Sequence, residues 1–179
     1  MMRKSLTVIA FVFLAIVSCY QPDQTQTQVV ELPDQIVDNF QMEETQSGKQ
    51  LYALNGNRAF YYNKSARIVV MDPEIEFYNP DKVVVAHVVC DSGVVLKNTG
   101  DLYAYGKVVV LTEDSTELRT DSLVWFNRRA QIETDAPVHI TSTEGTIDGK
   151  GLISDANLDK IVIKEEVSGT TKFSVESGE

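Results

Sequence analysis

The chain is poor in the residues that do chemistry. Its 179 residues include only two cysteines, two histidines and one tryptophan. His87 and His139 lie 52 positions apart, each inside a β-rich run and without a cysteine cluster nearby, so no adequate ligand set for a metal ion is present. No GxSxG elbow, phosphate loop or dinucleotide fingerprint occurs. Asp72, Asp91, Asp121 and Asp135 stand at turns or strand ends, where carboxylates usually hold backbone N–H groups. A glycosidase would need two of them to converge, which spacing does not establish. Gly149-Lys150-Gly151 is too short for phosphate binding and reads as a sharp bend with a close backbone contact. The sequence therefore points to no catalytic residue, no metal and no cofactor.

Basic residues are scarce as well. Sixteen Lys and Arg face 26 Asp and Glu, for a net charge of −10, so the footprint that nucleic acid demands is missing. Helical spacing is also lacking: no run of eleven residues favours an amphipathic helix over a strand. The length fits one domain with a real core.

What is present begins at the amino terminus. Arg3-Lys4 precedes an apolar stretch, Leu6 to Val17, that is too short to span a bilayer comfortably. It ends in Ile16-Val17-Ser18-Cys19, which resembles a bacterial lipobox. The resemblance implies a signal peptide over residues 1–18 and lipidation of Cys19; the alternative is an uncleaved anchor helix. Cleavage would remove Arg3 and Lys4 and bring the charge to about −12. Residues 19–34, rich in Gln, Thr, Asp and Pro, read as a flexible tether, and residues 35–175 as the folded domain. Cys90 is then a lone thiol, expected as a small core residue; a Cys19–Cys90 disulfide is open only if Cys19 is not lipidated.

The domain is written in short β runs separated by turn residues. Ile36, Phe40 and Met42 are expected on one face of the first, and Tyr52, Leu54, Phe60 and Tyr62 on one face of the second. Lys82 to Cys90 is apolar on both faces and is expected to be covered on both sides. Between Asp101 and Thr141 four strands are expected: Leu102–Val110, Leu118–Phe126, one around Ile132, and one after Pro137. The last strand is expected over Leu158, Ile161 and Ile163, fraying from Glu165. A shift of 64 positions lays Leu54 on Leu118, Tyr61 on Trp125, Asn63 on Asn127, Ala66 on Ala130, Ile68 on Ile132 and Pro73 on Pro137. This ordered recurrence is an internal repeat of a β unit.

A core needs two packed layers, and no helix is available for the second, so the sheet must fold over on itself. Such a roll has an apolar trough between its layers and unpaired edges at its ends. The trough suits acyl chains, at ~0.8 kcal/mol per buried methylene. The edges suit strand addition to a partner. If the trough is open to water, Val108→Asp should leave the fold standing.

Several segments then match a family. Gly106-Lys-Val108-Val-Val110, Leu118-Arg-Thr120-Asp121-Ser-Leu123-Val-Trp125, Ile132-Glu-Thr134-Asp135-Ala-Pro137-Val138 and Gly145-Thr-Ile147-Asp-Gly149-Lys-Gly151-Leu resemble the LptC component of the lipopolysaccharide export machinery, and more broadly the OstA-type β-jellyroll modules. The resemblance implies an open, V-shaped antiparallel β-jellyroll, not an enzyme. It implies a protein that takes lipopolysaccharide from the membrane subunits of an inner-membrane ABC transporter and hands it to a periplasmic LptA-like β-jellyroll protein. Many members hold a transmembrane helix where this chain has a lipobox, which leaves the anchoring mode open and suggests a lipid anchor on the periplasmic side of the inner membrane. The inward, lipid-binding set it implies is Ala86, Val88, Leu102, Ala104, Val108, Val110, Leu118, Leu123, Trp125, Ile132, Val138 and Ile140. A rival reading is a structural lipoprotein that scaffolds the envelope through its sheet edges and binds no lipid.

Overall fold

The structure, a computed structural model, describes residues 31–171 and 176–177, which from Leu32 onward belong to one compact unit, Leu32–Glu179. The expected signal peptide, Cys19 and the tether as far as residue 30 lie outside the described residues. The described chain is all β and contains no helix. Its strands are β1 (Gln35–Gln46), β2 (Lys49–Tyr62), β3 (Arg67–Met71), β4 (Glu74–Tyr78), β5 (Val84–Val89), β6 (Ser92–Leu96), β7 (Leu102–Thr112), β8 (Glu117–Phe126), β9 (Gln131–Ser142), β10 (Gly145–Ser154), β11 (Val162–Thr171) and β12 (Glu176–Ser177).

The pairing is simpler than twelve strands suggest. β3 and β4 are two halves of one run broken at Asp72-Pro73, and β5 and β6 are halves of another broken at Cys90-Asp91. Their halves pair in step, Met71 with Ser92 and Glu74 with Val89, and both flank the continuous β2 and β7. The sheet is thus an antiparallel meander in which neighbours in sequence are neighbours in space. β12 alone pairs in parallel, at Val162 and Ile163 of β11. β1 pairs only with β2, so its outer edge is unpaired among the described residues, as is most of the outer edge of β11.

Every long run bends at its middle, and the bends line up. Ladder registers slip between Tyr105 and Val108, between Thr120 and Val124, and around Lys150. Left-handed backbone marks the same line at Asn39, Asp72, Lys107, Gly106, Gly151 and Glu166. A bulge leaves a residue out of the ladder and lets the strand turn. Stacked across neighbours, the bulges crease the sheet into two facing layers. Backbone bonds from Asp72 N to Asp91 O (3.1 Å) and from Asp91 N to Gly106 O (2.9 Å) stitch the crease. At Gly56 there is no room for a side chain, since a Cβ there would sit 2.2 Å from Val70 Cγ1.

One core fills the space between the layers, running from Phe40 to Ile163. Phe77 of one layer meets Trp125 of the other with ring centroids 4.8 Å apart, and Tyr52 lies 5.9 Å from Phe77. The repeat is physical: Ala66 and Ala130 both take φ of 49°, each closing a turn onto the carbonyl of the aligned asparagine, Asn63 or Asn127. Ile68 and Ile132 are both buried beyond those turns, and Pro73 and Pro137 both fall at the crease.

The crease also explains where a simple alternation of faces misleads. Left-handed Asn39 switches the parity of β1, so Ile36 faces solvent while Val37, Phe40 and Met42 touch the core. In β2 the bend after Gly56 buries Ala59 and turns Phe60 and Tyr62 away from the buried face of Tyr52 and Leu54. The runs expected around Ile132 and after Pro137 are one strand, β9, because Pro137 sits where the ladder to β8 is interrupted and no strand bond is lost there. Leu158 belongs to a loop, and β11 runs on to Thr171 against β10 without fraying at Glu165. The apolar run before Cys90 is covered on one side only, since Val83 and Val89 are 46% and 44% exposed.

Cys90 lies at the crease, buried, its Sγ donating to Ser92 O at 3.2 Å. Burial, the largest cause, pushes its thiol up from 9.0 to about 11. The unfolded chain therefore gives up this proton first. The stability tied to the protonated thiol is complete below pH 9 and is lost as pH climbs towards 11. We expect the urea midpoint to fall more steeply over that window in the native protein than in Cys90→Ala. Cys90 should also resist alkylation at pH 8 until the chain is unfolded, as mass spectrometry of the modified peptide will read.

Candidate functional site

All twelve residues expected to face inward are buried in the one core: Ala86 and Val88 on β5; Leu102, Ala104, Val108 and Val110 on β7; Leu118, Leu123 and Trp125 on β8; Ile132, Val138 and Ile140 on β9. They keep even parity along β7 and β9, while in β8 the slip after Thr120 moves the buried set from Leu118 and Thr120 to Leu123 and Trp125. Sequence reasoning missed the other half of the lining. Tyr52, Leu54, Val70, Ile75, Phe77, Ile147, Leu152 and Ile163 are equally buried and complete the lining of both layers. Their apolar periodicity was readable, but nothing in it shows which half of a bent strand meets which.

The interior is filled, side chain against side chain. Val108, Leu118 and Ile140 are fully buried, so this state of the trough holds its own residues and no open channel reaches them. The layers meet again at the side away from the crease. Tyr52 donates to Gly100 O at 3.4 Å, and the Asn127 amide donates to Thr99 O at 3.3 Å and to Glu44 Oε1 at 3.5 Å. The Asn127 backbone N–H donates to Asp101 Oδ1 at 2.9 Å. Burial and the negative charges of Glu44 and Asp101 push the Tyr52 phenol up, so it stays a donor across the working pH range.

Beyond that contact the seam is looser. A cavity of about 260 Å³ opens between the layers, walled by Leu51, Phe77, Val85, Trp125, Asn127 and Ala156. The loop from Asp155 to Ile161, joining β10 to β11, lies over the seam. Two further hollows, of about 390 and 270 Å³, flank it where Asn157, Leu158 and Asp159 approach Thr112 to Thr116 of the opposite layer. Leu158 is buried there, with Ala156 and Ile161 half-buried against the core. The loop's hydrogen bonds stay within itself: Asp155 Oδ1 accepts from the Asp159 N–H at 2.9 Å, and Asp155 O from the Leu158 N–H at 3.3 Å. Among the described residues it is held to the opposite layer by apolar contact alone.

Polar chemistry is peripheral. His139 pairs with Asp148 at 2.7 Å and His87 with Glu76 at 3.7 Å, both at the surface. Asp135 is taken up by Lys164 at 2.7 Å, which holds its carboxyl below the usual range. Among the described residues no three His, Cys, Asp or Glu side chains gather as a metal site.

Comparison with known proteins agrees with this architecture. The family described as lipopolysaccharide-assembly, LptC-related, matches residues 6–172. The fold is similar to the crystal structure of LptH, the LptA-homologous periplasmic component of the lipopolysaccharide transport device of Pseudomonas aeruginosa. The TM-score is 0.54 at 8% identity, over 68% of this chain and 94% of that one. No curated protein matches the sequence.

The filled interior reverses the expectation for Val108→Asp. A carboxylate at a fully buried position has no partner and no water, which costs more than ~4 kcal/mol. We expect this variant to lose the cooperative urea transition, whereas Arg119→Asp on the exposed face retains it.

Proposed function

Because this chain belongs to the LptC-related family of lipopolysaccharide-assembly proteins, we propose that it passes lipopolysaccharide from an inner-membrane ABC transporter to a periplasmic β-jellyroll bridge by taking its acyl chains between the two layers of the creased sheet. The observation that carries the reading is the continuous apolar lining, whose layers are held apart from the crease by few hydrogen bonds. To admit acyl chains the layers must spread, exchanging contacts such as Phe77 on Trp125 for contacts with lipid. Apolar surface stays covered throughout, so the exchange costs little in hydrophobic energy. Phosphates and sugars remain at the rim.

In this reading Cys19 carries the lipid that holds the domain at the periplasmic face of the inner membrane, and residues 19–34 tether it. Lipopolysaccharide arrives from the membrane subunits of an ABC transporter and leaves to an LptA-like β-jellyroll protein. The unpaired outer edges of β1 and β11 are where such partners would add a strand. The protein acts as a carrier and makes or breaks no bond.

A photo-crosslinker at Leu51 or Val85, half-buried at the seam, should capture lipopolysaccharide in cells, while one at the exposed Arg119 should not. Equal labelling at all three positions would favour a scaffold that binds no lipid inside. Intact mass of the membrane-extracted protein should show a chain beginning at Cys19 with diacylglycerol attached; a mass equal to the full chain would replace the lipid anchor by the uncleaved helix.

A further inference from the structure

The two layers turn unlike faces outward. In the layer that holds β3 and β6, Ile36, Phe60, Val69, Val94, Tyr103 and Val124 are ladder partners in turn across β1, β2, β3, β6, β7 and β8. None of the six is buried, whereas Ala59, Ile68, Val95, Leu102 and Leu123 beside them are, so the row lies on the outside. The next position, Glu133, is the first charged one. Exposed Met71 and Tyr105 widen the row towards the crease. The matching row of the other layer, across β1, β2, β4, β5, β7 and β8, reads Glu43, Ala53, Glu76, His87, Leu111 and Glu117. The outer face of an antiparallel sheet is ordinarily polar, as this second row is. An apolar row left outside marks a contact surface.

The corner at which the chain enters indicates what meets it. Ile36 ends the row, and just before it the Asp34 N–H donates to Tyr61 O at 2.8 Å while Asp34 Oδ2 accepts from the Asn63 N–H at 2.7 Å. The chain that follows Cys19 therefore joins the domain beside the β2–β3 turn. Exposed cations gather at this end of the layer. Lys64 is in that turn, Lys97 Nζ donates to Asn63 Oδ1 at 3.3 Å, and Arg128 and Arg129 occupy the β8–β9 turn. The carboxylates there are taken up locally: Asp34 by Asn63, Asp101 by Asn127 and Thr99, and Glu133 by Arg129. Guanidinium groups lie over aromatic rings, Arg67 4.7 Å from the centre of Tyr62 and Arg129 4.1 Å from that of Phe126. At the corresponding end of the other layer the turns hold Asp81, Glu113, Asp114 and Glu144 against Lys49 and Lys82.

We propose that the outer face of the β3–β6 layer docks on the phospholipid leaflet that holds the anchor. Its apolar row lies against the acyl boundary, and Lys64, Lys97, Arg128 and Arg129 meet anionic headgroups. Apolar area and basic charge on one surface are what interfacial binding requires. Tethered at this corner, the face meets lipid at high effective concentration, so a contact too weak to hold a free domain suffices. Docking keeps the side closed by Tyr52 and Gly100 near the lipid and leaves the β4–β5 layer free to part from its partner. The inference rests on the membrane anchoring read above and adds the orientation of the domain.

The anchored full chain, carrying Cys90→Ala, is reconstituted in vesicles of phosphatidylcholine and phosphatidylglycerol that contain doxyl-labelled lipid. An environment-sensitive dye is attached at Val94→Cys on β6 or at Glu117→Cys on β8, one on each outer face. Lipid should quench the β6 dye about fivefold more than the β8 dye, and Lys64→Glu with Arg128→Glu should cut the β6 quenching about threefold while the urea midpoint holds. Equal quenching of the two dyes overturns the docking face and leaves the anchor standing. Quenching on β6 that survives the charge reversal overturns the headgroup contact. A β6 dye shielded from water but not quenched by lipid, in proportion to protein density, gives the face to a second copy and overturns the proposal. A chain that does not float with the vesicles sinks anchor and face together.

Discussion

The structure depends on one constraint: a β-sheet with a single apolar face and no helix to cover it must cover itself. The crease answers that constraint. Each long run carries a break near its middle, by left-handed backbone at Asn39, Asp72 and Lys107 or by a slipped register in β8 and β10. Because the breaks stack across hydrogen-bonded neighbours, they add up to a single fold line, and the apolar faces of both halves are brought together. Proline is tolerated at this line because the strand bonds it would remove are already absent there.

The same device separates two kinds of strength. At the crease the layers are joined by the chain itself and by ladder bonds, so they cannot part there. On the far side they meet through the Tyr52 bond to Gly100, the Asn127 bond to Glu44 and the seated loop, with cavities between. A sheet hinged at one side and weakly closed at the other suits a carrier whose cargo must go in and come out. The interior of the described state is packed with its own side chains, so in the proposed reading cargo enters by exchange of apolar contacts. Deep charge is excluded from such an interior, and the ion pairs lie outside it, as with His139 on Asp148 and Lys164 on Asp135.

Much of this was legible in the residues. The all-β class and the offset repeat follow from apolar periodicity and turn residues, while the segments around Val108, Trp125 and Pro137 carry the family likeness, which implied the twelve inward residues from Ala86 to Ile140. What misled was the parity of β1 and β2, the division of β9, and the end of the chain around Leu158. In each case a bulge or a loop contact decides the outcome, and both are tertiary. A left-handed Asn39 costs energy in isolation and is held only because Phe40 and Val37 then both reach the core.

The sequence by itself determined that these residues form strands, which of them are apolar, and where the chain turns, because those properties are local to a few neighbouring side chains and φ/ψ pairs. Only the tertiary structure decided which half of each strand faces which, that the trough is filled, and that Trp125 and Asn127 share a cavity beneath the 155–161 loop. Those facts arise from contacts between residues far apart in the chain, and they exist only once the sheet has folded along its crease.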